Sequence, residues 1–571
     1  MRHSLSNTPH RPFGVFRLLP FLVLAATSAF APRAFATWAT NGNAASLADS
    51  NQVLAQSVSD GQGGIILVWE DYRNGNADIF AQHLDASGTA LWGANGLAVC
   101  TDTTYQQSPV VTSDGAGGAI FVWQDLRNLN YDIYAQRVNA GGTPLWTANG
   151  VPVCTAPGSQ VLEVATGDGA NGAIIGWRDL RTGDSDIYAQ RVDATGATRW
   201  TADGVGVCVL SGVQTEARIL RDPRGGAFLV WRDHRGLDYD LYAQSLDANG
   251  QPRWAANGVP VCTAIYDQLA STIAVDGRYG LLVAWQDARN NTDYNVWMQR
   301  LNPDGTPRWA TDGVRLTNAT GQQTDPILVP DGAAGAIVGW TDARVTRPDV
   351  YAQRADSLGT LLWSPSDGVA VCASDSSQFV RTGVTDGFGG AIFGWDDDRS
   401  GGKQIYAQSV RADGTLRWPA LGVLVATGSG ARTLTTSVAD GYGGAIFGWQ
   451  DFRNGPTSDV YAYRISPVGT GVEGSNAPAA PSRLYPARPN PFNPSTAIDF
   501  SLDRAARVSL SVYDVQGRLV RVLADGDYGA GLHTVRWDGI DRMGGAVGSG
   551  VYFVRLGLPG GARTSAITLL R

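Results

Sequence analysis

The chain repeats one short pattern, Trp-x-Asp-x-Arg, eight times at intervals of 54 or 55 residues. Its tryptophans are Trp69, Trp123, Trp177, Trp231, Trp285, Trp340, Trp395 and Trp449. A repeat of this length is a supersecondary unit that cannot bury its apolar face alone, so neighbouring units must stack on one another. Most of the 571 residues therefore belong to one repeat architecture rather than to a single conventional core.

Each period accommodates four β-strands. In the second copy, the first strand precedes Asp114-Gly115, the second covers Ala119 to Trp123, and the third covers Ile133 to Val138. A short fourth strand lies at Val151 to Cys154. Asp-Gly between apolar runs is a strong hairpin signal, because glycine accepts the positive φ of the turn. The unit shows no helical periodicity, and the 71 glycines of the chain suit tight turns between strands.

Four-stranded units of this length, repeated around an axis, are typical of propeller blades. The sequence therefore predicts an all-β protein with an eight-bladed β-propeller over residues 37–465. A parallel β-helix would need shorter repeats. The last period ends without the outer Trp-containing segment of the others, whereas Trp38 lies 54 residues before Trp92 and in phase with it. We expect the N-terminal stretch from Trp38 to Leu47 to supply the fourth strand of the last blade, because this removes an open sheet edge.

The first 36 residues have the features of a signal peptide. Three arginines lie among the first 17 residues, and the apolar stretch from Leu18 to Ala31 is too short to span a bilayer comfortably. Ala34-Phe35-Ala36 fits a cleavage site and gives a mature start at Thr37. An uncleaved membrane anchor is the alternative. Since no later stretch is long and apolar enough, the mature protein is expected to have no transmembrane segment.

The composition changes after the repeats. Residues 466–483 are rich in Pro, Gly, Ala and Ser, which is a linker composition. Beyond them, Ala497 to Leu502 and Val508 to Tyr513 alternate between apolar and polar residues, as half-buried antiparallel strands do. Residues 484–571 are therefore predicted to form a second, smaller all-β module.

Several short motifs in this module occur in the order found in a known family. They are Asn490-Pro491-Phe492-Asn493-Pro494, Val512-Tyr513-Asp514, Gly517-Arg518, Gly531-Leu532-His533, Trp537-Asp538-Gly539 and Gly550-Val551-Tyr552-Phe553. In this order they resemble the C-terminal sorting domains of type IX secretion and the related Ig-like domain of flagellar hook-cap proteins. The resemblance implies an Ig-like β-sandwich, the secretion machinery as a partner, and a location outside a diderm bacterium, either released or attached to the surface. A plain Ig-like stalk domain is the alternative.

The repeated Asp and Arg, such as Asp71 with Arg73, stand at the turn between the second and third strands in all eight copies. A catalytic site is needed once, so we interpret these residues as structural ion pairs. Calcium binding in the turns is the alternative, but every turn carries an Arg and lacks the Asp-x-Asp-x-Asp-Gly spacing. The Asp-x-Arg…Asp-Ile-Tyr hairpin resembles that of TolB-like propellers; because the period here is longer, the resemblance implies the architecture only.

The cysteines all occupy the same position in the fourth strand. They are Cys100, Cys154, Cys208, Cys262 and Cys372. Outer strands of adjacent blades lie too far apart for the Cα separation of a disulfide, about 7 Å at most. We therefore expect free thiols that act as small apolar residues.

A function in a repeat scaffold is expected where the repeat is broken. The first strand of each blade is predicted to line a central channel, and it opens with Gln in seven copies. The predicted ligand-binding residues at the channel mouth are Glu163, Glu216, Arg218, Asp325, Arg381 and Arg432. Two carboxylates across a pocket could catalyse glycoside hydrolysis, although channel charges are more often a solvated lining. The few scattered histidines argue against a metal triad or a Ser-His-Asp arrangement, so no catalytic residue, metal or cofactor is predicted.

The net charge of −8 argues against nucleic acid as a partner. Regular blades with short turns favour a scaffold over an enzyme, because enzymes usually add long irregular loops to such a fold. The sequence thus predicts a monomeric, secreted or cell-surface, non-catalytic protein that binds a glycan or a surface protein through its propeller. The alternative function is a glycan-active hydrolase or lyase with its site at the channel mouth.

Overall fold

The computed structural model describes residues 38–427, 430–469, 483–485, 487, 490–502, 506–528, 531–542, 544–559 and 561–570. The predicted signal peptide at residues 1–36 lies outside them, as does most of the predicted linker. The described residues form 39 strands and no helix. Accordingly, this part of the chain contains no helix that is long and apolar enough to cross a membrane.

The repeats form eight antiparallel sheets of four strands each, which we number repeat sheets 1 to 8 in chain order. Their first strands are β2 (Gln52–Ser59), β6 (Gln106–Ser113), β10 (Gln160–Gly167), β14 (Gln214–Arg221), β18 (Gln268–Val275), β22 (Gln323–Pro330), β26 (Gln378–Thr385) and β30 (Arg432–Ala439). Their second strands are β3 (Ile65–Asp71), β7 (Ala119–Asp125), β11 (Ala173–Asp179), β15 (Ala227–Asp233), β19 (Leu281–Asp287), β23 (Ala336–Asp342), β27 (Ala391–Asp397) and β31 (Ala445–Asp451).

The third strands are β4 (Asp78–Leu84), β8 (Asp132–Val138), β12 (Asp186–Val192), β16 (Asp240–Leu246), β20 (Asn295–Leu301), β24 (Asp349–Ala355), β28 (Gln404–Val410) and β32 (Asp459–Ile465). The fourth strands of repeat sheets 1 to 7 are β5 (Leu97–Cys100), β9 (Val151–Cys154), β13 (Val205–Cys208), β17 (Val259–Cys262), β21 (Val314–Arg315), β25 (Val369–Cys372) and β29 (Val423–Ala426). The fourth strand of repeat sheet 8 is β1 (Asn43–Ser46). Repeated four-stranded sheets of this kind are consistent with propeller blades.

The N-terminal strand completes the last repeat sheet, whose order is β1-β32-β31-β30. Asn43 pairs with Ala462 and Ser46 with Val460. A β-bulge interrupts this pairing at the same position as the β-bulge between β4 and β5. Trp38 is 1% exposed, and its indole N–H donates to the carbonyl of Ala86 at 3.2 Å. The same bond joins Trp92 to the next sheet, so the N-terminal segment occupies the position of a fourth-strand segment.

The repeated Trp-x-Asp-x-Arg residues form a buried clamp in every repeat sheet. In repeat sheet 1, the Asp71 carboxylate accepts hydrogen bonds from the indole of Trp69 at 2.8 Å and from the Nε of Arg73 at 2.7 Å. Arg73 also donates to the carbonyl of Asn95, which precedes the fourth strand, and lies 4.0 Å above the ring of Phe80. The motif therefore ties second, third and fourth strands together, and the donors of Trp and Arg occupy the carboxylate oxygens.

The five cysteines are free and buried, as predicted. The Arg of the Trp-x-Asp-x-Arg motif in the following sheet contacts each of these thiols. Arg127, for example, donates a hydrogen bond to the Sγ of Cys100 at 3.5 Å. Burial raises the pKa of Cys100 to about 12. The thiol is therefore neutral and fills a small apolar space between adjacent repeat sheets.

The C-terminal module contains two antiparallel sheets. Their strands are β33 (Arg483–Leu484), β34 (Thr496–Leu502), β35 (Ala506–Tyr513), β36 (Leu519–Tyr528), β37 (Gly531–Trp537), β38 (Gly550–Leu558) and β39 (Gly561–Leu569). One sheet has the order β33-β34-β37 and the other β36-β35-β38-β39. Phe492, Phe500 and Trp537 pack in the core between them, as the alternating apolar residues predict.

Candidate functional site

The first strands of neighbouring repeat sheets contact one another. The amide of Val111 donates to the side chain of Gln56 at 3.3 Å, and that of Arg221 donates to Thr166 at 3.1 Å. The hydroxyls of Ser57 and Thr436 lie 2.7 Å apart, which joins repeat sheet 1 to repeat sheet 8. The first strands therefore bring residues from different repeats together along their length.

A second set of contacts joins the sheets near the starts of the first strands. It is formed by the residue between Trp and Asp of each motif, which we call the linking residue. The linking residues are Glu70, Gln124, Arg178, Arg232, Gln286, Thr341, Asp396 and Gln450.

Several linking residues accept a hydrogen bond from the next sheet. Glu70 accepts one from the amide of Ser108 at 2.7 Å, and Asp396 accepts one from the amide of Leu434 at 3.0 Å. Gln450 of repeat sheet 8 instead donates to the carbonyl of Gln52 in repeat sheet 1 at 3.3 Å. The sequence analysis did not predict these contacts between sheets. The sequence feature that could have indicated them is the position between Trp and Asp, which varies among the repeats although every repeat keeps the Trp and the Asp.

The first strands all have a β-bulge near their start, but in repeat sheets 2 to 6 the bulge leaves two residues unpaired, whereas in the other three sheets it leaves one. In repeat sheets 2 to 6 the third residue of the strand has a positive φ between 48° and 54°. These residues are Ser108, Leu162, Glu216, Ala270 and Asp325. Residues other than glycine rarely adopt this backbone conformation, and β-bulges of this kind change the direction in which side chains point. Five neighbouring sheets therefore present their first strands differently from the remaining three.

Glu163 follows this bulge in repeat sheet 3 and is buried, with 4% of its surface exposed. One carboxyl oxygen accepts a hydrogen bond from Gln124, the linking residue of repeat sheet 2, at 2.9 Å. The other is buried and has no hydrogen-bond partner. Burial raises the pKa of this carboxyl from 4.5 to about 8, and the bond from Gln124 opposes the shift only in part. Glu163 is therefore largely protonated at pH 7.

Two of the predicted residues are held in ion pairs within their own sheets. Glu216 accepts a hydrogen bond at 2.5 Å from Arg232, the linking residue of repeat sheet 4. Arg381 donates to the carboxylate of Asp396, the linking residue of repeat sheet 7, at 2.9 Å. Their charges are therefore neutralised locally, without a ligand.

Arg218 differs because its guanidinium contacts only backbone carbonyls. It donates to Ser271 of repeat sheet 5 and to its neighbour Ala217, both at 3.2 Å. Desolvation lowers the pKa of Arg218, and the nearby carboxylate of Glu216 opposes this shift. The residue is nevertheless exposed, so its guanidinium is open to solvent.

The remaining two predicted residues have different surroundings. Asp325 is exposed, and its amide donates to the linking residue Gln286 at 3.2 Å. Arg432, by contrast, is only 1% exposed and donates to Asp451 at 3.0 Å. The guanidinium of Arg432 is therefore buried against the clamp carboxylate of repeat sheet 8.

The C-terminal module contacts the opposite end of the first strands. The guanidinium of Arg483 lies 3.9 Å from the ring centre of Phe388, in the turn after β26. The candidate residues lie near the beginning of their strands. Among the described residues, no group of three or more His, Cys, Asp or Glu side chains is arranged to hold a metal ion.

These features define a class: an all-β repeat protein of four-stranded sheets with a C-terminal Ig-like module. Residues 492–557 match the family described as the FlgD Ig-like domain. The match is limited to the module and supports its predicted Ig-like fold. No curated protein sequence matches the chain significantly.

Solved structures with similarity to this chain include proteins of several functions. PorZ, a surface component of the type-IX secretion system of Porphyromonas gingivalis, is 13% identical, covers 94% of this chain and 82% of its own, and has a TM-score of 0.28. The polysaccharide lyase Uly1 is 10% identical over 76% of this chain and 98% of its own, with a TM-score of 0.40. A Penicillium chrysogenum alpha-L-arabinanase is 12% identical over 56% of this chain and 98% of its own, with a TM-score of 0.33. Identities and scores this low decide neither ligand nor activity.

Proposed function

We propose that the protein is an exported, monomeric, non-catalytic binding protein. In this proposal, residues 1–36 are a cleaved signal peptide and residues 37–465 form a closed eight-bladed propeller. A linker at residues 466–483 leads to the Ig-like module at residues 484–571. The propeller binds a glycan or a surface protein at the starts of its first strands, and the module serves export or surface attachment.

Three features that join the two ends of the repeat region support closure of the ring. The N-terminal strand β1 pairs with β32 of the last repeat, the hydroxyls of Ser57 and Thr436 meet, and Gln450 bonds to the backbone of Gln52. The last two contacts link repeat sheets 8 and 1 and reproduce or replace contacts that join consecutive sheets elsewhere. In a closed ring, the first strands surround an axial channel, and the candidate residues lie at one of its mouths.

The ion pairing at this mouth carries the proposal of binding without catalysis. The Glu216 carboxylate is paired with Arg232, and the Arg381 guanidinium is paired with Asp396. A glycosidase needs two carboxyl groups that face one bond, one protonated and one ionised. Paired acids on different sheets are better suited to fixing the shape and polarity of a recognition surface.

A glycan array on residues 37–571, followed by an assay for turnover of every bound glycan, tests this proposal. We expect binding without turnover, and we expect Glu216→Ala and Asp325→Ala to change affinity only. Release of reducing ends or unsaturated products that disappears in Glu163→Ala, Glu216→Ala or Asp325→Ala would contradict it.

The export role rests on the Ig-like match at residues 492–557 and on the motif order from Asn490 onward. Deletion of residues 484–571 is expected to leave a folded propeller in the periplasm, because the signal peptide still directs the first membrane passage. Cell fractionation and circular dichroism of the periplasmic protein measure this outcome. Recovery of the truncated protein outside the cell would show that the module is not the export signal.

Glu163 favours a second candidate function, a glycan-active hydrolase or lyase. Its carboxyl is protonated near neutral pH because burial raises its pKa to about 8, and this is the property required of a general acid. Its burial and its bond to Gln124 limit access to a substrate. The turnover assay above separates the two candidates.

A further inference from the structure

We propose that the Ig-like module docks on the turns that follow the first strands of repeat sheets 7, 8 and 1, and that it thereby locks the seam of the ring. The seam is the boundary between repeat sheets 8 and 1, which the hydroxyls of Ser57 and Thr436 span. This inference rests on the ring closure in the proposed function and gives the module a role in the folded protein beyond export.

The first observation is a break in the repeated turn after the first strand. The third residue of this turn is small or polar in six repeats and aromatic in the other two. These residues are Gln62, Ala116, Ala170, Arg224, Arg278 and Ala333 in repeat sheets 1 to 6, and Phe388 and Tyr442 in repeat sheets 7 and 8. The two aromatic residues therefore belong to adjacent sheets, at the end of the first strands that the module contacts.

The second observation is that module residues line two cavities together with these turns. Tyr485 lines a cavity of about 400 Å³ with Phe388 and with Ser59 of repeat sheet 1. Asp499 lines a second cavity, of about 340 Å³, with Ser59 and Tyr442. The module therefore borders residues of repeat sheets 7, 8 and 1 at the same time.

The burial of Asp499 shows which face of the module meets the propeller. Its neighbours Ile498 and Phe500 belong to the module core, so Asp499 points to the opposite face of its sheet. Residues on the outer face of a β-sandwich are usually polar and solvated, yet Asp499 is only 4% exposed. Because the cavity that it lines is bordered by the turns of repeat sheets 8 and 1, these turns cover the outer face of β34.

The turn of repeat sheet 8 also reaches across the seam. The ring of Tyr442 packs so closely on Gly63 of repeat sheet 1 that a Cβ atom on Gly63 would lie 2.7 Å from it. Gly63 has a φ of 91°, so both the backbone conformation and the close approach require glycine. Tyr442 is therefore in contact with both sides of the seam.

Arg464 connects the same turn to the N-terminal segment. Its guanidinium pairs with Asp440 of the turn at 2.9 Å and donates to the carbonyl of Ala86 in repeat sheet 1 at 3.2 Å. The indole of Trp38 donates to this same carbonyl. A docked module that holds the turn in place therefore also favours the attachment of the N-terminal segment. Coupling of this kind is reciprocal, so undocking of the module must loosen that segment.

Hydrogen–deuterium exchange of residues 37–571, measured by mass spectrometry, tests the inference. The strand β1 reports on the seam, and β9, which occupies the same position in repeat sheet 2, is the internal control. We expect a variant that combines Phe388→Ala and Tyr485→Ala to exchange the β1 amides at least about fivefold faster and the β9 amides at an unchanged rate. Small-angle X-ray scattering is expected to show a larger radius of gyration for this variant.

Arg278→Ala is the matched control variant. It removes an exposed side chain from the same turn position in repeat sheet 5, away from the turns that border the module. We expect it to change neither the exchange of β1 nor the radius of gyration. Circular dichroism and melting temperature verify that each variant is folded.

Unchanged exchange of β1 in the folded double variant would overturn the inference. So would equal acceleration of β1 and β9, which indicates a general loss of stability, or a wild-type scattering profile that requires a detached module. Ring closure is judged separately. Fast exchange of β1 in the wild type would contradict closure itself, whereas a protected β1 that does not respond to the double variant would contradict only the role of the module.

Discussion

Substitution of Trp38 by alanine is expected to lower the free energy of unfolding by about 3–5 kcal/mol, although the residue lies next to the N-terminus that the proposed signal cleavage would create. Its indole is 1% exposed and bonds to Ala86 of repeat sheet 1. Replacement removes a large apolar surface and leaves a cavity that the surrounding sheets cannot fill. The loss falls on the contact between repeat sheets 8 and 1.

The equivalent tryptophans provide matched controls. Trp146 is 8% exposed and makes the same bond to Ala194, so Trp146→Ala is expected to cost a similar free energy. Trp200 is only half-buried, so Trp200→Ala is expected to cost less. Urea unfolding followed by tryptophan fluorescence measures all three. A Trp38→Ala protein as stable as the wild type would show that the N-terminal segment does not hold the ring together.

Replacement of Glu163 by glutamine is expected to make the protein more stable than the wild type at high pH and to leave the two similar at low pH. The pKa of this carboxyl is about 8 in the folded state, above its ordinary value of 4.5. Between these values the folded state binds a proton that the unfolded state has released, so wild-type stability falls as pH rises. Above pH 8 the difference is on the order of 5 kcal/mol.

The measurement is the difference in unfolding free energy between Glu163→Gln and wild type from pH 4 to 9. Taking this difference removes the contribution of other titrating groups, provided that they are unchanged. Glu216→Gln is the control, because it makes the same substitution at a carboxylate that is partly exposed and paired with Arg232. A constant difference for Glu163→Gln would mean that the Glu163 carboxyl is ionised in the folded protein at pH 7.

The strand pattern was predictable because it depends on short-range chemistry. The strand predicted at Val151 to Cys154 is β9 with the same bounds, and the second and third strands differ from their predictions only at their ends. The phase of Trp38 also placed the N-terminal segment correctly on the last sheet, where β1 pairs with β32. These features follow from alternation, Asp-Gly turns and spacing along the chain.

The candidate site was only partly predictable, because its contacts join residues of different repeats. Glu163 reaches Gln124, and Asp396 reaches Leu434, across sheet boundaries whose register the sequence does not specify. The sequence shows that Arg432 stands where the other first strands begin with Gln. Its burial against Asp451 could not be predicted, because it depends on how far the start of the strand is covered by neighbouring residues. The bulge at Glu216 likewise left no signature in composition.

The pairing of β1 with the last sheet has a consequence for the order of folding. Arg453 donates to the carbonyl of Asn41, a partner 412 positions away in the chain. The N-terminal strand therefore stays unpaired until nearly all of the repeat region has been synthesised. Contacts between such distant residues slow folding. If the chain is exported as proposed above, this late completion keeps it incompletely folded for longer, which suits passage through a membrane channel before folding.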